Sequence, residues 1–557
     1  MKNMSVLPIV ALLILMLSGG SFAAQAPVLQ EPVLNGMSVS LKWNAVENAQ
    51  EYTLYYAPMP YTGPESIGNI PLGNRTEFSA ELWQGAAFYV AITATDTDGE
   101  SQFSNICQFT ITGATAPFDD FSGTRLDKNK WRNAYWYGLG REQVLEVSGG
   151  QLIVKVSGIS DDHGHLGQSL RFTNPAGISS MAADVTYVEG EIDPDYSETT
   201  WVTGGELGGE FYKDTGGETV WASIALYSVG NQLVVTGQME DSIGFHQTEP
   251  FSTSFQAGVA YRLKISYDGD HTFSFSVGDE SKTLEGVPPG NTPLSDDEQE
   301  RELATFITSK PDIDMVSRVV GGYISMRFDN IDVNDAPYED FSGTTSDALS
   351  PGKWLDSQIV REIRHGKLAM DVETGSNDWK NMAYLQQGND TDYFQAEVVI
   401  SSDSVFIGDN LEGAVKLYGT YYNTKHDGSG YEYDDGEVYP GVTVKRYPDG
   451  SLKVYASIFQ CDNARCSEYT TLLDNKFLSC TPQLDKPVIV ALEHQGNTMI
   501  FTCDGASYSH TLTGPLYPSA WKLRKLRSRV YQTDQSEAYG YGYMKVTVDN
   551  VYTQKPE

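Results

Sequence analysis

One passage of this chain occurs twice. Asp119-Asp120-Phe121-Ser122-Gly123 returns as Glu339-Asp340-Phe341-Ser342-Gly343, and Phe328-Asp329-Asn330-Ile331 returns as Val548-Asp549-Asn550-Val551, each shifted by 220 positions. A period this long is no solenoid unit of a few dozen residues, so each copy can fold as a domain with its own core. Duplication also sorts the chemistry. What the common fold requires should stand in both copies, and what stands in one copy is local to it. Between the ends, Trp131 matches Trp354, Arg141-Glu142 matches Arg361-Glu362, Gly150-Gln151-Leu152 matches Gly366-Lys367-Leu368, and Gly209-Glu210-Phe211-Tyr212 matches Gly419-Thr420-Tyr421-Tyr422. Order is kept while spacing drifts, as loops of variable length between fixed strands produce.

The chain opens with Lys2, an apolar run from Val6 to Leu17, and Ser21-Phe22-Ala23, the pattern of a secretory leader cleaved after Ala23 (residues 1–23). The run is about a dozen residues, short of the roughly 20 needed to span a bilayer, and no later stretch approaches that length. No Cys lies near the end of the leader to carry a lipid anchor. The expectation is a secreted or cell-surface protein, the periplasm included, with no transmembrane segment after cleavage.

Among 557 residues the net charge is -36 with only 38 Lys plus Arg, which disfavours nucleic acid as a partner. One patch runs the other way: Lys522, Arg524, Lys525, Arg527 and Arg529, alternating with Leu523 and Leu526. It reads as a strand with one basic face, either solvated or docking an acidic polymer. Five Cys in an exported chain point to disulfides. Cys461 and Cys466 flank a tight turn, and Cys480 and Cys503 can face each other across neighbouring strands. Cys107 is left as a buried thiol or an intermolecular bridge. All four paired Cys lie in the second copy, so they staple that copy and are not shared machinery.

Residues 26–112 alternate apolar and polar over short runs, as in Val39-Ser40-Leu41-Lys42-Trp43, Tyr52-Thr53-Leu54-Tyr55-Tyr56 and Phe88-Tyr89-Val90-Ala91-Ile92. With Trp43 on an early strand, Tyr89 on a late one and Ala94 to Ser101 before the last strand, this segment resembles a fibronectin type III domain, which implies a spacer or adhesive module. Copy 1 (117–335) and copy 2 (338–553) are rich in strand-like runs such as Gln151 to Val156, Gln232 to Val235, Tyr261 to Tyr267 and Thr272 to Val277. Helical periodicity is confined to one or two turns expected between Ser295 and Leu303. About 215 residues of strands per copy are best satisfied by two large sheets packed face to face. On the opening Asp-Asp-Phe-Ser-Gly, the Trp131/Trp354 position, the Gly-x-Leu strand and the closing Phe-Asp-Asn-Ile, both copies resemble the concanavalin A-like jelly roll of laminin-G-like modules, legume-type lectins and several glycan hydrolases. The whole is similar to uncharacterised exported bacterial proteins. The fold class expected is all-β: one small fibronectin III sandwich plus two jelly-roll sandwiches.

Candidate sites follow from residue chemistry. Glu191-Ile192-Asp193-Pro194-Asp195 approaches the one-faced carboxylate run of jelly-roll glucanases. Pro194 interrupts the strand, however, Asp195 replaces the last Glu, and copy 2 carries nothing similar around Ser404 to Asp409. A solvated loop is the reading. If first and last strands are neighbours, Asp120 approaches Asp329 and Asp340 approaches Asp549. They would then hold a structural Ca2+, or else cap turns. His163 and His165 flank Gly164 in an acidic loop and offer at most weak metal binding. Tyr135-Trp136-Tyr137 and Trp201 are candidate sugar-stacking residues, since three consecutive aromatics cannot all point to one side of a strand. No complete catalytic constellation is present. The function expected is recognition of extracellular carbohydrate or another surface polymer by tandem modules. The alternatives are a surface scaffold that binds proteins and a glycan-cleaving enzyme.

Overall fold

The computed structural model describes residues 25–556 apart from 36–37, 60, 62, 83–85, 98, 112–116, 128–129, 132–141, 160–164, 195–200, 231, 296–297, 310–319, 344–348, 351, 375–379, 388–390, 426–433, 520–522 and 534–539. The chain forms two compact units, Met1–Phe118 with Tyr552–Glu557, and Asp119–Val551. Both are built of antiparallel strands; among the described residues the only helical pieces are the 3-10 turns Pro64–Ser66 and Pro175–Gly177. No described helix is long and apolar enough to cross a membrane. Near Ser295, where one or two helical turns are expected, residues 296–297 lie outside the described residues; the Glu298 N–H donates to Ser295 O, and the chain is extended in the strand Arg301–Ser309.

In the first unit, Val33–Asn35, Ser38–Lys42 and Glu77–Glu81 form one sheet. Gly68–Gly73, Glu51–Pro58, Ala87–Asp96, Gly99–Glu100 and Cys107–Thr110 form the other. Strict alternation sends Val39, Leu41, Tyr52, Leu54, Ile92 and Ala94 into one core with Trp43. Tyr52 is the buried core tyrosine, its ring 5.7 Å from that of Trp43 and its hydroxyl accepting the Val46 N–H at 2.8 Å. Tyr89 is only half-buried.

The second unit holds both copies, and the copies share a sheet. In copy 1 hydrogen bonds run from Glu280–Glu285 through Thr272–Val277, Ala260–Tyr267, Ser180–Ile192, Gly321–Val333 and Gln151–Ile159 to Glu142–Ser148. Glu142–Ser148 then pairs with Ile359–Arg364 of copy 2, and the ladder continues to Val488–Gln495, Thr498–Cys503 and Ala506–Thr511. Copy 2 splits two of its long strands, into Lys367–Ala369 with Val372–Glu373 and into Tyr541–Met544 with Val546–Tyr552, so there the hydrogen-bonded path runs in parallel and closes on itself.

At the junction Leu145 faces Ile359, Val144 faces Val360 and Gln143 faces Arg361. When the hairpins at Gly150 and Gly366 are aligned, Val144 and Val360 are equivalent, so the contact maps onto itself when the copies are exchanged, as in an isologous dimer. Val144, Val360, Ala369 and Ile153 make its apolar centre. The flanking acids obey the same exchange: Glu146 binds Arg364 at 2.6 Å and Glu362 binds Lys155 at 2.8 Å, each reaching the other copy. The hairpin register therefore aligns Glu362 with Glu146, correcting the Glu142 match drawn from sequence.

Each copy covers its half of the shared sheet with an outer sheet. In copy 1 the order is Leu166–Arg171, Arg301–Ser309, Trp201–Lys213, Thr219–Val229, Gln232–Asp241 and Gly244–Gln247. In copy 2 the strands Lys380–Gln387, Arg524–Gln532, Leu411–Gly419, Glu437–Arg446, Leu452–Cys461 and Tyr469–Leu478 are paired in that sequence, with the short Tyr422–Asn423 and Tyr517–Pro518 alongside. These are the two large sandwiches expected. Disulfides join Cys461 to Cys466 and Cys480 to Cys503. Cys107 is free and buried.

Candidate functional site

A strand in a sandwich has one face toward the opposing sheet and one away from it, and residue parity decides which. In copy 1 the Thr203 hydroxyl meets the Tyr187 hydroxyl of the shared sheet at 2.7 Å, so odd residues of Trp201–Lys213 point inward and Glu206 points outward. In copy 2 the buried Arg446 donates to Ser404 O at 2.9 Å and stacks on Phe406, so even residues of Glu437–Arg446 point inward. Val442, Val444, Val415, Leu417, Leu526 and Val530 complete that interior, all fully buried.

The outward face of copy 2 is cationic and aromatic. Cross-strand register sets Lys416 between Arg527 and Thr443, Ala414 between Arg529 and Lys445, and Tyr418 between Lys525 and Gly441. One strand further, Lys453, Tyr455 and Phe459 face Lys445, Thr443 and Tyr439. Rings carry the cations: Lys416 Nζ lies 5.3 Å from the Tyr418 ring and 5.2 Å from that of Phe459, Lys445 5.6 Å from Tyr455, and Arg529 4.1 Å from Tyr531. Tyr439 and Phe459 stack at 4.9 Å, and beyond them Tyr469 and Phe477 stand 63% and 51% exposed on the edge strand. The Cys461–Cys466 disulfide packs against Tyr418 and Tyr439, pinning this end of the face.

Lys416 is the unusual member. It is 8% exposed, and among the described residues its ammonium has no carboxylate partner. Burial, followed by the neighbouring Arg527 and Arg529 charges, holds its amine well below the ordinary lysine range. Its stem lies over Gly441, where a methyl group would overlap Lys416 Cε, so glycine leaves the space that the lysine fills. Lys445, by contrast, is neutralised by Glu412 at 2.8 Å, which also accepts the Tyr531 hydroxyl.

The basic run seen in the sequence therefore divides. Lys525, Arg527 and Arg529 face outward, whereas Arg524 is buried, its guanidinium 3.6 Å over the Tyr421 ring and donating to Thr420 O at 2.6 Å and to Thr391 O. Copy 1 repeats that arrangement with Arg301, 3.7 Å over Phe211 and donating to Glu210 O. Arg524 is thus part of the shared fold. Lys522 lies outside the described residues.

With Gly209-Glu210 aligned on Gly419-Thr420, the position of Lys416 is held in copy 1 by Glu206, and that of Lys525 by Glu302, which pairs with Gly208 as Lys525 pairs with Tyr418. The duplicated face has reversed its charge. Burial raises the Glu206 carboxyl to about 7 against the bond it accepts from Ser223 (2.8 Å), and burial also raises Glu302. A carboxyl whose folded pKa is raised contributes stability that is full below its unfolded value and lost as pH rises through the folded one. Melting temperature is accordingly expected to fall between pH 5 and pH 8, with Glu206→Gln flattening the fall. An unchanged slope in that variant would show that Glu206 is not the group responsible.

The other candidates are placed as follows. Tyr135, Trp136, Tyr137, His163 and Asp195 lie outside the described residues. Trp201 begins a strand and is 8% exposed, so it offers little surface to a sugar. Glu191 is exposed near the end of the strand Ser180–Ile192, with Asp193 and Pro194 beyond it. First and last segments are indeed neighbours, but in exchanged form: Asp119 bridges Val551, and Glu339 faces Ile331. Each opening thus lies beside the closing strand of the other copy. Asp120 and Asp340 accept the N–H and hydroxyl of Ser122 and Ser342, Asp329 and Asp549 accept the N–H of the following Asn, and Asp549 also binds Lys367 at 3.1 Å. Among the described residues no group of three or more His, Cys, Asp or Glu is arranged to hold a metal. With these carboxylates engaged as turn caps, a chelator is expected to leave the melting temperature unchanged. A drop of several degrees would instead place calcium in the fold.

No protein-family model and no curated protein sequence matches the chain. Among solved structures, a fibronectin III-like protein from Clostridium thermocellum is similar at 22% identity, covering 16% of this chain and 92% of its own, TM-score 0.14. The kappa-carrageenase from Pseudoalteromonas carrageenovora in complex with a kappa-carrageenan oligotetrasaccharide is similar at 9% identity over 34% of this chain and 82% of its own, TM-score 0.19. An alginate lyase is similar at 12% identity over 38% and 87%, TM-score 0.20. None of these likenesses is close enough to carry a functional assignment.

Proposed function

We propose that this is an exported protein whose second sandwich binds an anionic polysaccharide on its outward face, with the fibronectin III-like unit as spacer. The observation that carries the reading is Lys416, buried and, among the described residues, without a carboxylate partner, beside Arg527 and Arg529. A lysine held this deep beside two guanidinium groups loses hydration and is repelled by their charge, which is what pushes its amine below the ordinary range. An anion bound there offsets both costs. In a chain of net charge -36 such a face is a local reversal that only a strongly anionic ligand would seek out. The exposed rings of Tyr469 and Phe477 give sugar C–H faces something to stack on, so a carboxylated or sulfated polysaccharide fits better than a small anion. Two disulfides suit an oxidising compartment.

The test is affinity electrophoresis of the full chain in gels containing alginate, polygalacturonate, carrageenan or neutral dextran. Retardation is expected with anionic polymers only, and should vanish as salt rises toward about 0.5 M, where the Debye length is only a few ångströms. Equal mobility in all gels at low salt would overturn the reading.

A further inference from the structure

We infer that copy 1 holds a second binding site, a cavity beside Arg301 that takes one or two rings of a neutral sugar. It goes beyond the reading above, because it lies in the other copy and rests on other residues. The cavity measures about 450 Å³, within the roughly 300–1,000 Å³ of small-ligand sites. It is lined by Glu210 and Tyr212 at the end of the strand Trp201–Lys213, by the loop from Pro289 to Leu294, and by Gln299 and Arg301 where the next strand begins.

Its walls are built before any ligand arrives. Thr215 N–H donates to Pro288 O at 2.9 Å and Gly290 N–H to Lys213 O at 2.8 Å, while the Tyr212 hydroxyl donates to Val287 O at 2.9 Å. Gly290 passes so close to Asp214 O that a methyl group would overlap it, so glycine lets the loop lie against the strand end. Pro289 and Pro293 fix two of the loop's φ angles. A site ordered in advance loses little entropy on binding.

The duplicated arginine shows what is missing. In copy 2 Arg524 Nε donates to Thr391 O at 3.0 Å. Asp392 O accepts the His494 N–H there as Ser179 O accepts that of Tyr267, so Thr391 answers to Ile178 in copy 1. Ile178 follows the turn Pro175–Gly177, whose Ala176 lines the cavity, and among the described residues its carbonyl makes no hydrogen bond to Arg301. Arg301, only 5% exposed, therefore keeps a buried Nε–H without a partner among the described residues. A buried donor left unpaired is costly, and an acceptor brought by a ligand relieves it.

The chemistry of the walls selects a neutral ligand rich in hydroxyls. Acids and bases around the cavity are matched: Lys213 binds Glu298 at 2.7 Å, Arg171 lies 3.7 Å from Glu300, and Arg301 donates to the backbone of Glu210. A net charge on the ligand would find no counter-charge to spare. Among the described residues the side chains of Glu210, Asn291 and Thr292 make no hydrogen bond, so carboxylate, amide and hydroxyl stand open beside the Arg301 donor. Neighbouring sugar hydroxyls donate and accept at once, which matches this mixture. Ala176, Pro293 and Leu294 add apolar surface for the ring C–H groups.

The experiment is saturation-transfer NMR on the full chain with glucose, galactose, mannose, N-acetylglucosamine, cellobiose and lactose, with glucuronate and free lysine as charged counterparts. Transfer is expected to at least one neutral sugar and to be weaker for the charged pair. Ala176→Trp, which fills the rim with an indole, should abolish it, and Asn291→Ala should weaken binding about five-fold, the size of one hydrogen bond. Both positions are exposed, and melting curves establish that both variants are folded. Replacing Arg527 and Arg529 by alanine should leave the sugar signal unchanged, and Ala176→Trp should leave retardation in the anionic gels unchanged, so the two sites fail separately. No transfer to any neutral sugar, or undiminished transfer in Ala176→Trp, would overturn the assignment. Stronger transfer to glucuronate or lysine than to every sugar would overturn it as well, and loss of the sugar signal in the double arginine variant would place the sugar on copy 2.

Discussion

Replacing Arg527 and Arg529 together by alanine should weaken binding to an anionic polysaccharide about 100-fold while leaving melting temperature nearly unchanged. Hydrogen bonds to charged groups contribute roughly 1.5–3 kcal/mol each. Both side chains are half-exposed, so the low end applies, and about 2.7 kcal/mol in total corresponds to that loss. Stability should change little, because repulsion of Lys416 is relieved while the ring contacts of Arg527 with Tyr418 and of Arg529 with Tyr531 are lost. Arg524→Ala is the contrasting control from the same strand. It leaves Tyr421 without its cation and Thr391 and Thr420 carbonyls without donors, so melting temperature should fall. Titration of polymer at low salt, paired with thermal melts, reads both quantities. Affinity of the double variant within three-fold of the parent would mean that the ligand, if any, sits elsewhere.

Trp354→Ala should be the most destabilising single change in the second unit, at about 3–5 kcal/mol, the usual cost of truncating a buried tryptophan. Trp131 and Trp354 occupy matching places, stacked on Phe121 at 5.8 Å and on Phe341 at 6.1 Å. Trp354 also touches the other copy, its ring 4.6 Å from that of Phe172. Its backbone neighbours bridge there as well, Thr173 N–H donating to Lys353 O and Leu355 N–H to Arg171 O, while Asp356 binds Arg171 at 2.7 Å. Loss of the indole therefore removes core packing and loosens the junction together. Limited proteolysis should cut between the copies faster in Trp354→Ala than in Trp131→Ala, whose indole N–H instead reaches Asp119 at 2.6 Å within copy 1. Equal cleavage rates would show that the Phe172 contact does not hold the copies together.

Much of the architecture was legible because β structure writes itself in short range. Alternation marks Gln151–Ile159 and Ala260–Tyr267, and the Asp268-Gly269-Asp270 turn closes the hairpin to Thr272–Val277, with Asp268 accepting the Asp270 and Thr272 N–H groups. The four disulfide cysteines were readable from spacing. The site was legible only in part. Lys525, Arg527 and Arg529 announce a basic face, but Arg524, one residue away, turns inward, and nothing in the run itself says so. Lys416 left no signal at all: a lone lysine in Gly-Ala-Val-Lys-Leu-Tyr reads as the solvent side of an ordinary strand. The aromatic candidate Trp201 failed to stand out at the surface because it heads a strand that the sheet buries.

By itself, then, the sequence determined the duplication, the all-β class, the strands and the staples, since each depends on residues close together along the chain. Tertiary structure alone decided that the copies join through Val144 and Val360, that their opening segments exchange partners, and that Lys416 meets Arg527. Those outcomes depend on sheet register between strands separated by a hundred residues or more. Alternation tells which residues share a face but not which strand lies beside them. Charge reversal between Glu206 and Lys416 became visible only when that register placed both on the same spot of the same fold.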